Sequence, residues 1–138
     1  PTDSTLALSR IVYCGVLVRH PNLKLIASHL GGMILLYLDR LNWREGNPEC
    51  KQEPEEYFRK IYYDTAGPIR AAFIKLVYDT VSADQIIFGA NYPHGRDGKD
   101  DQFYPMTLKE MKESDIPKAD KEKIYYQNAK ALFGFEEG

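Results

Sequence analysis

The stretch Leu23–Gly32 (LKLIASHLGG) decides the fold of this chain. Its opening residues, Leu23–Ser28, are too apolar and too few for a surface helix, so they predict a short buried strand. One histidine and two glycines follow at once, which indicates that the strand ends in a tight polar loop. Segments on both sides of this stretch continue the pattern of helix and strand.

Helical and strand-like segments alternate along the rest of the sequence. Helices are predicted over 6–18, 33–41, 55–59, 69–81, 107–113 and 119–132, from apolar residues at helical spacing. Two more strands are predicted at Lys60–Asp64 (KIYYD) and Gln85–Gly89 (QIIFG), with polar loops over 44–54 and 90–105.

This alternation is typical of right-handed β/α crossovers and of a parallel sheet. The predicted fold class is therefore α/β, built from parallel β/α units over residues 1–138 as a single segment. Because a parallel sheet is normally buried on both faces, three strands with two bare edges predict an incomplete sheet.

Composition excludes several classes of function. The chain has 138 residues with 18 Lys+Arg against 20 Asp+Glu, a formal charge of −2. This balance provides no polycationic face, so we expect no nucleic-acid or anionic-membrane partner. No apolar run approaches the roughly 20 residues that span a bilayer. Cys14 and Cys50 lie far apart in no metal-like spacing, which favours a reduced, cytoplasmic protein.

Polar residues follow each predicted strand at the point where it ends. They are Ser28-His29, Asp64-Thr65 and the run Gly89–His94. Because the carboxyl ends of parallel strands share one face, this pattern predicts an active-site face. Ordinary turn chemistry explains the same residues, since Asp, Thr, Asn and Gly also dominate turns.

Two histidines on this face have two interpretations each. His29 directly follows a buried strand, where it could act as a base or a metal ligand, or else be a half-buried imidazole bonded to a neighbouring carbonyl. His94 follows Tyr92-Pro93, where it could contact a substrate or be an exposed loop residue.

Four segments in order resemble the amidohydrolase-2 family, which includes aminocarboxymuconate-semialdehyde decarboxylase and resorcylate-type decarboxylases. Leu17–Asp39 resembles the family stretch that ends in H-x-G-G, and Ile61–Thr65 (IYYDT) looks like its next strand. Ile87–Pro93 (IFGANYP) resembles the hydrophobic-F-G-[ST]-D-Y-P signature. Asp120–Gly134 is similar to the closing helix with its I-x-x-x-N-A-x-x-L-F-G hallmark.

The resemblance implies the C-terminal portion of a (β/α)₈ TIM-like barrel, about three strands with their flanking helices. It further implies one divalent metal, usually zinc in the family, and a small carboxylated or cyclic substrate. His29 takes the position of the family's strand-six catalytic histidine, with Asp64, Tyr92 and His94 expected to line the substrate pocket. The family's first metal motif, H-x-H or E-x-H, has no match here.

Asn91 departs from the family pattern, because it stands where the family has a metal-ligating aspartate. An amide oxygen can still coordinate a hard cation, but it carries no charge and accepts no proton as a base. We therefore expect metal binding at Asn91 to be weakened.

Two hypotheses of function follow from these observations. The first is a metal-dependent decarboxylase or hydrolase of which this chain forms the C-terminal part. The second is a non-catalytic, truncated barrel remnant that self-associates, with a metal site that is degenerate at Asn91. Both predict that a homo-oligomer or a missing N-terminal barrel segment covers the bare strand edges.

Overall fold

The computed structural model describes residues 2–41, 49–67, 69–94 and 102–135. Its sheet has three parallel strands, β1 (Ile26–Ala27), β2 (Tyr62–Asp64) and β3 (Ile86–Ile87), in the spatial order β1-β2-β3. Each strand falls inside a predicted one, which confirms the α/β class and the parallel arrangement. The strands are shorter than the predicted apolar runs because the hydrogen-bonded pairing stops where each strand turns into its loop.

Helices surround this sheet. The α-helices are α1 (Thr2–Tyr13), α2 (Val16–Arg19), α3 (Leu38–Leu41), α4 (Pro54–Phe58), α5 (Ala71–Val81), α6 (Phe103–Glu113), α7 (Lys118–Glu122) and α8 (Asn128–Phe133). Single 3₁₀ turns occupy His29–Gly31, Ile34–Tyr37 and Ala83–Gln85, and a π-helical turn, Lys123–Gln127, joins α7 to α8. Among these described helices, none is long and apolar enough to cross a membrane.

Several predicted helices differ from the observed ones. The helix predicted over 107–113 begins earlier, at Phe103 and inside the predicted loop 90–105, and the helix predicted over 119–132 is interrupted by the π-helical turn. The helix predicted over 6–18 is broken at Gly15, whose φ of 71° is left-handed and whose amide donates to the Val12 carbonyl at 2.9 Å. Glycine adopts that conformation without a steric penalty, so it ends α1 and lets α2 begin in a new direction. The segment predicted to be helical from Met33 starts as a 3₁₀ turn. The predicted loops 44–54 and 90–105 lie partly outside the described residues.

One face of the sheet packs against helices and forms the centre of the core. Ala27, Tyr63 and Ile86 are in register on this face and are 5%, 0% and 0% exposed. The Tyr63 hydroxyl donates to the Phe58 carbonyl at 2.7 Å, so the buried ring keeps its polar atom satisfied. Burial raises the pKa of Tyr63 above its usual value, because the charged phenolate would have to lose its hydration.

The opposite face of the sheet is less well covered at its β1 edge, although Ile87 of β3 on the same face is only 7% exposed. Ile26 lies on this face beside Tyr62 and is 41% exposed, although it belongs to a parallel strand. Parallel sheets are normally buried on both faces. Within the described part of the chain, this face therefore shows the incompleteness that the strand count predicts.

The last helical segment fastens β3 into the fold. The Phe88 amide, just past β3, donates to the Ile124 carbonyl in the π-helical turn at 2.9 Å. The side-chain amide of Asn128 donates to the carbonyls of Ala83 and Ile86, both at 2.7 Å. These bonds satisfy backbone groups along β3 that would otherwise lack a partner strand.

We predict that Asn128→Ala destabilises the protein by about 1–3 kcal/mol, since it leaves the two acceptor carbonyls without their donor. Urea unfolding monitored by circular dichroism measures this change. Gln127→Ala, at an exposed position on the same helical segment, serves as the control and should change stability by less than about 0.5 kcal/mol. Equal effects of the two substitutions would contradict the anchoring role of Asn128.

Candidate active site

His29 begins the 3₁₀ turn directly after β1, and its backbone is unusual. Its φ is 57° and that of Leu30 is 53°, so two consecutive non-glycine residues are left-handed. Such residues cost free energy and persist only when their surroundings hold them. Leu30 is fully buried, whereas His29 is exposed. The turn therefore places the imidazole at the surface while the Leu30 side chain packs in the core.

Asp64, the last residue of β2, holds this turn. Its Oδ1 accepts a hydrogen bond from the His29 amide at 2.8 Å and another from the Ala66 amide at 3.0 Å. The carboxylate is half-buried. The structure therefore brings together His29 and Asp64, two of the residues that the sequence places on the active-site face.

Gly67 forms the surface against which the His29 ring lies. A Cβ atom at Gly67 would come within 2.9 Å of His29 Cδ2 and 3.4 Å of His29 Nε2, and its φ is 88°. The Gly67 carbonyl accepts a hydrogen bond at 3.0 Å from the buried Thr107 hydroxyl of α6. Only glycine allows both this backbone conformation and this close approach of the imidazole.

The end of β3 is joined to the end of β2 through Thr65. The Thr65 hydroxyl donates to the Gly89 carbonyl at 2.9 Å and accepts from the Gly89 amide at 3.1 Å. These bonds fix the start of the loop that carries Asn91, two residues further along the chain.

Asn91 opens a tight turn at the same end of the sheet. Its φ is 58°, and its carbonyl accepts from the His94 amide at 2.9 Å across a cis Tyr92–Pro93 peptide bond. Asparagine is among the residues that tolerate this left-handed conformation. Asn91 is partly buried, while Tyr92 (69% exposed) and His94 project into solvent. Contacts of Tyr92, His94 and Asp64 with a substrate stay predictions.

A cleft of about 530 Å³ lies at the other end of the sheet, where Arg59 precedes β2 and Asp84 precedes β3. Its charged groups have partners within the chain: Lys123 donates to Asp84 at 2.9 Å and Arg59 donates to the Thr80 carbonyl at 3.1 Å. None of the site residues predicted from the sequence lines this cleft.

Gly67 and Thr107 shape the candidate site and were missed by sequence reasoning, whereas Thr65 was among the polar residues predicted at the strand ends. Thr107 lies 40 residues from Gly67 in sequence, and nothing in either segment indicates the contact.

The profile of the amidohydrolase-2 family matches residues 3–135 of the chain. The chain belongs to the amidohydrolase-2 family. The resemblance inferred from the four motifs is thereby confirmed.

Individual relatives of the chain include decarboxylases. Decarboxylase orsB of Emericella nidulans is 24% identical over 94% of this chain. Dihydroxybenzoic acid decarboxylase of Polaromonas, solved with bound manganese and the inhibitor 2-nitroresorcinol, superposes with a TM-score of 0.80 at 23% identity over 97% of the chain. An aspartate-to-asparagine mutant of Novosphingobium 5-carboxyvanillate decarboxylase, also with manganese, has a TM-score of 0.79 at 20% identity over 95% of the chain.

The chain spans about 40% of the length of these relatives. Their TM-scores show that its three strands and flanking helices have the fold of part of a TIM-barrel amidohydrolase, which confirms the fold class inferred from the sequence. The partly uncovered sheet face is consistent with a portion of such a barrel.

The family is metal-dependent, and a bound metal ion needs several donor groups placed around it. The described residues contain no group of three or more His, Cys, Asp or Glu side chains placed to hold a metal ion. Asn91 contributes at most a neutral amide oxygen. The described part of the chain therefore does not form a complete metal site.

We predict that Gly67→Ala displaces the His29 ring and costs more stability than Gly134→Ala. Both glycines are left-handed, with φ of 88° and 68°, so both substitutions incur a backbone penalty of about 1–2 kcal/mol. Of the two, only Gly67 would have its new Cβ also meet a side chain, since no described residue lies within 4 Å of that position at Gly134.

Urea unfolding and the NMR signals of the His29 imidazole together test this prediction. The imidazole signals should shift in Gly67→Ala and stay unchanged in Gly134→Ala. Unmoved imidazole signals in Gly67→Ala would show that the ring does not lie against Gly67.

Proposed function

We propose that the protein containing this chain is a metal-dependent decarboxylase acting on a small carboxylated substrate. The observation that carries the proposal is His29, exposed at the carboxyl end of β1 with its backbone bonded to Asp64. The decarboxylases among its relatives favour decarboxylation over the hydrolysis that the family resemblance also allowed.

His29 would supply the proton that decarboxylation requires. When the bond between a carbon and its carboxylate breaks, CO₂ leaves and the electron pair stays on that carbon, which then takes a proton. An imidazolium can donate this proton near neutral pH and recover one from water. The exposed position of His29 gives it access to both substrate and solvent.

The substrate would bind between the loops that follow β2 and β3. Tyr92 and His94 are proposed to line this space, and Tyr92 offers an aromatic face on which a ring could stack. The dihydroxybenzoic acid decarboxylase with a bound nitroresorcinol supports a small aromatic acid as the substrate class.

A divalent metal is part of this proposal. Zinc is the ion expected from the family resemblance, whereas the two solved decarboxylases carry manganese. Asn91 would be one ligand from this chain, and the remaining ligands would come from outside the described residues. The manganese-bound aspartate-to-asparagine mutant supports the idea that a site in this fold can tolerate one such replacement.

Further barrel strands or a second copy of the chain would cover the exposed face beside Ile26 and complete the pocket. We propose an N-terminal barrel segment as the first choice, because the relatives are about two and a half times as long as this chain.

A cytoplasmic location is also proposed, supported by Cys14 and Cys50, which are both free.

A non-catalytic barrel remnant is the second candidate function. It is favoured by the absence of a three-ligand metal group among the described residues and by the amide at Asn91. The remnant would self-associate through its unpaired strand edges and release no CO₂ from any substrate.

His29→Ala is expected to lower turnover by about 10²–10⁴-fold while leaving the fold intact, since it removes the proton donor from an exposed turn. The assay measures CO₂ release from a dihydroxybenzoate and from 5-carboxyvanillate, with added Mn²⁺ or Zn²⁺. It uses the longest natural translation product that contains residues 1–138. His20→Ala, at an exposed histidine beyond α2, is the control and should retain full activity.

Full activity in His29→Ala would remove His29 from the mechanism. If the unmodified protein releases no CO₂ and sediments as a stable oligomer of this chain, the remnant interpretation replaces the decarboxylase.

Asn91→Asp is expected to tighten Mn²⁺ binding on the order of tenfold, because it adds a negative charge to the ligand. Aspartate tolerates the left-handed φ of 58° at this position, so the turn should be kept. Free Mn²⁺ measured by electron paramagnetic resonance gives the affinity. Asn22→Asp, the same change in an exposed loop, should have no effect, and equal affinity in the two variants would contradict the assignment of Asn91.

A further inference from the structure

We propose that Asp64 is a positioning residue that acts through His29, holding the backbone of the catalytic turn with a single carboxylate oxygen. This proposal rests on the function proposed for His29. It assigns Asp64 a role different from the direct substrate contact expected from the sequence.

Both hydrogen bonds that Asp64 accepts from backbone amides end on the same oxygen. Oδ1 lies 2.8 Å from the His29 nitrogen and 3.0 Å from the Ala66 nitrogen. His29 and Asp64 are 35 residues apart in sequence, so this oxygen ties the loop after β1 to the loop after β2. The two loops cannot move independently while both bonds are kept.

The conformation of the His29 turn needs such a restraint. His29 and Leu30 are both left-handed, an arrangement that survives only where neighbouring groups fix it. Leu30 fixes one side of the turn because its side chain is fully buried. The Asp64 bond fixes the other side, at the amide of the residue whose ring is exposed.

The second amide bond connects Asp64 to the support of the imidazole ring. Ala66 is directly followed by Gly67, against which the His29 ring lies. The Thr107 hydroxyl donates a hydrogen bond to the Gly67 carbonyl at 3.0 Å. Asp64 therefore sets both the backbone from which the ring projects and the position of the surface beneath it.

Because both hydrogen bonds end on Asp64 Oδ1, substitutions can separate a positioning role of this oxygen from a role of the negative charge. An asparagine side chain keeps one carbonyl-type oxygen, which can accept the same two N–H bonds. An alanine keeps none. Asp64→Asn should therefore preserve the geometry of His29, Asp64→Ala should lose it, and a role that needs the negative charge would be lost in both.

The first test measures the bond itself in the 138-residue chain by NMR. A scalar coupling across the hydrogen bond, between the His29 amide nitrogen and the Asp64 carboxyl carbon, is expected in the unmodified protein. Absence of this coupling would overturn the proposal without any variant having to fold.

The second test is amide hydrogen exchange at His29. Exchange should accelerate on the order of tenfold or more in Asp64→Ala and stay near the unmodified rate in Asp64→Asn. The Gly89 amide, bonded to Thr65 Oγ1, is the internal control and should remain protected in both variants. Unchanged His29 exchange in Asp64→Ala would contradict the proposal.

Activity provides a third, separate readout. Asp64→Ala should reduce kcat with little change in KM, and Asp64→Asn should restore most of kcat. If both variants lose turnover while His29 exchange stays normal in Asp64→Asn, Asp64 acts by its charge and the positioning role is wrong. If the unmodified protein has no decarboxylase activity, the proposed function fails while the NMR tests still decide the role of Asp64.

Discussion

The pairing of β2 with a parallel strand on each side is the constraint on which the rest of the structure depends. Tyr63 in this strand is fully buried, and its neighbours in register are Ala27 and Ile86. Because β2 fixes where β1 and β3 end, it also fixes where their loops begin. Asp64 and Thr65, at the end of the same strand, then bond directly to those two loops.

Helices remote from the candidate site hold its loops in place. Thr107 of α6 bonds to the Gly67 carbonyl, and Glu110 of the same helix accepts the amide of Ala71 at the start of α5 at 2.8 Å. The Asn128 side chain and the Ile124 carbonyl hold β3 in the same way, through hydrogen bonds to its backbone and to the residues next to it. Groups from separate helices thus hold the Gly67 segment and β3, while His29 itself stays exposed.

Much of the fold could be predicted from local patterns, and much of the site could not. The three strands and the parallel sheet follow from short apolar runs between helical segments, because burial of both faces imposes that composition. His29 and Asp64 could be identified as neighbours at strand ends by the same logic. The bond from Asp64 to the backbone of His29 could not, because it depends on a left-handed turn that LKLIASHLGG does not specify, although its glycines signal a turn.

The sequence by itself determined the class of sheet and the end of the sheet that carries polar residues, since these depend on composition and spacing along the chain, and four of its segments carried the resemblance to the family. Only the tertiary structure decided how those residues are used. It showed that one carboxylate oxygen joins two loops 35 residues apart in sequence, and that the His29 ring rests against Gly67. Such contacts are fixed by the packing of separate elements, and no local stretch of sequence contains the information that brings them together.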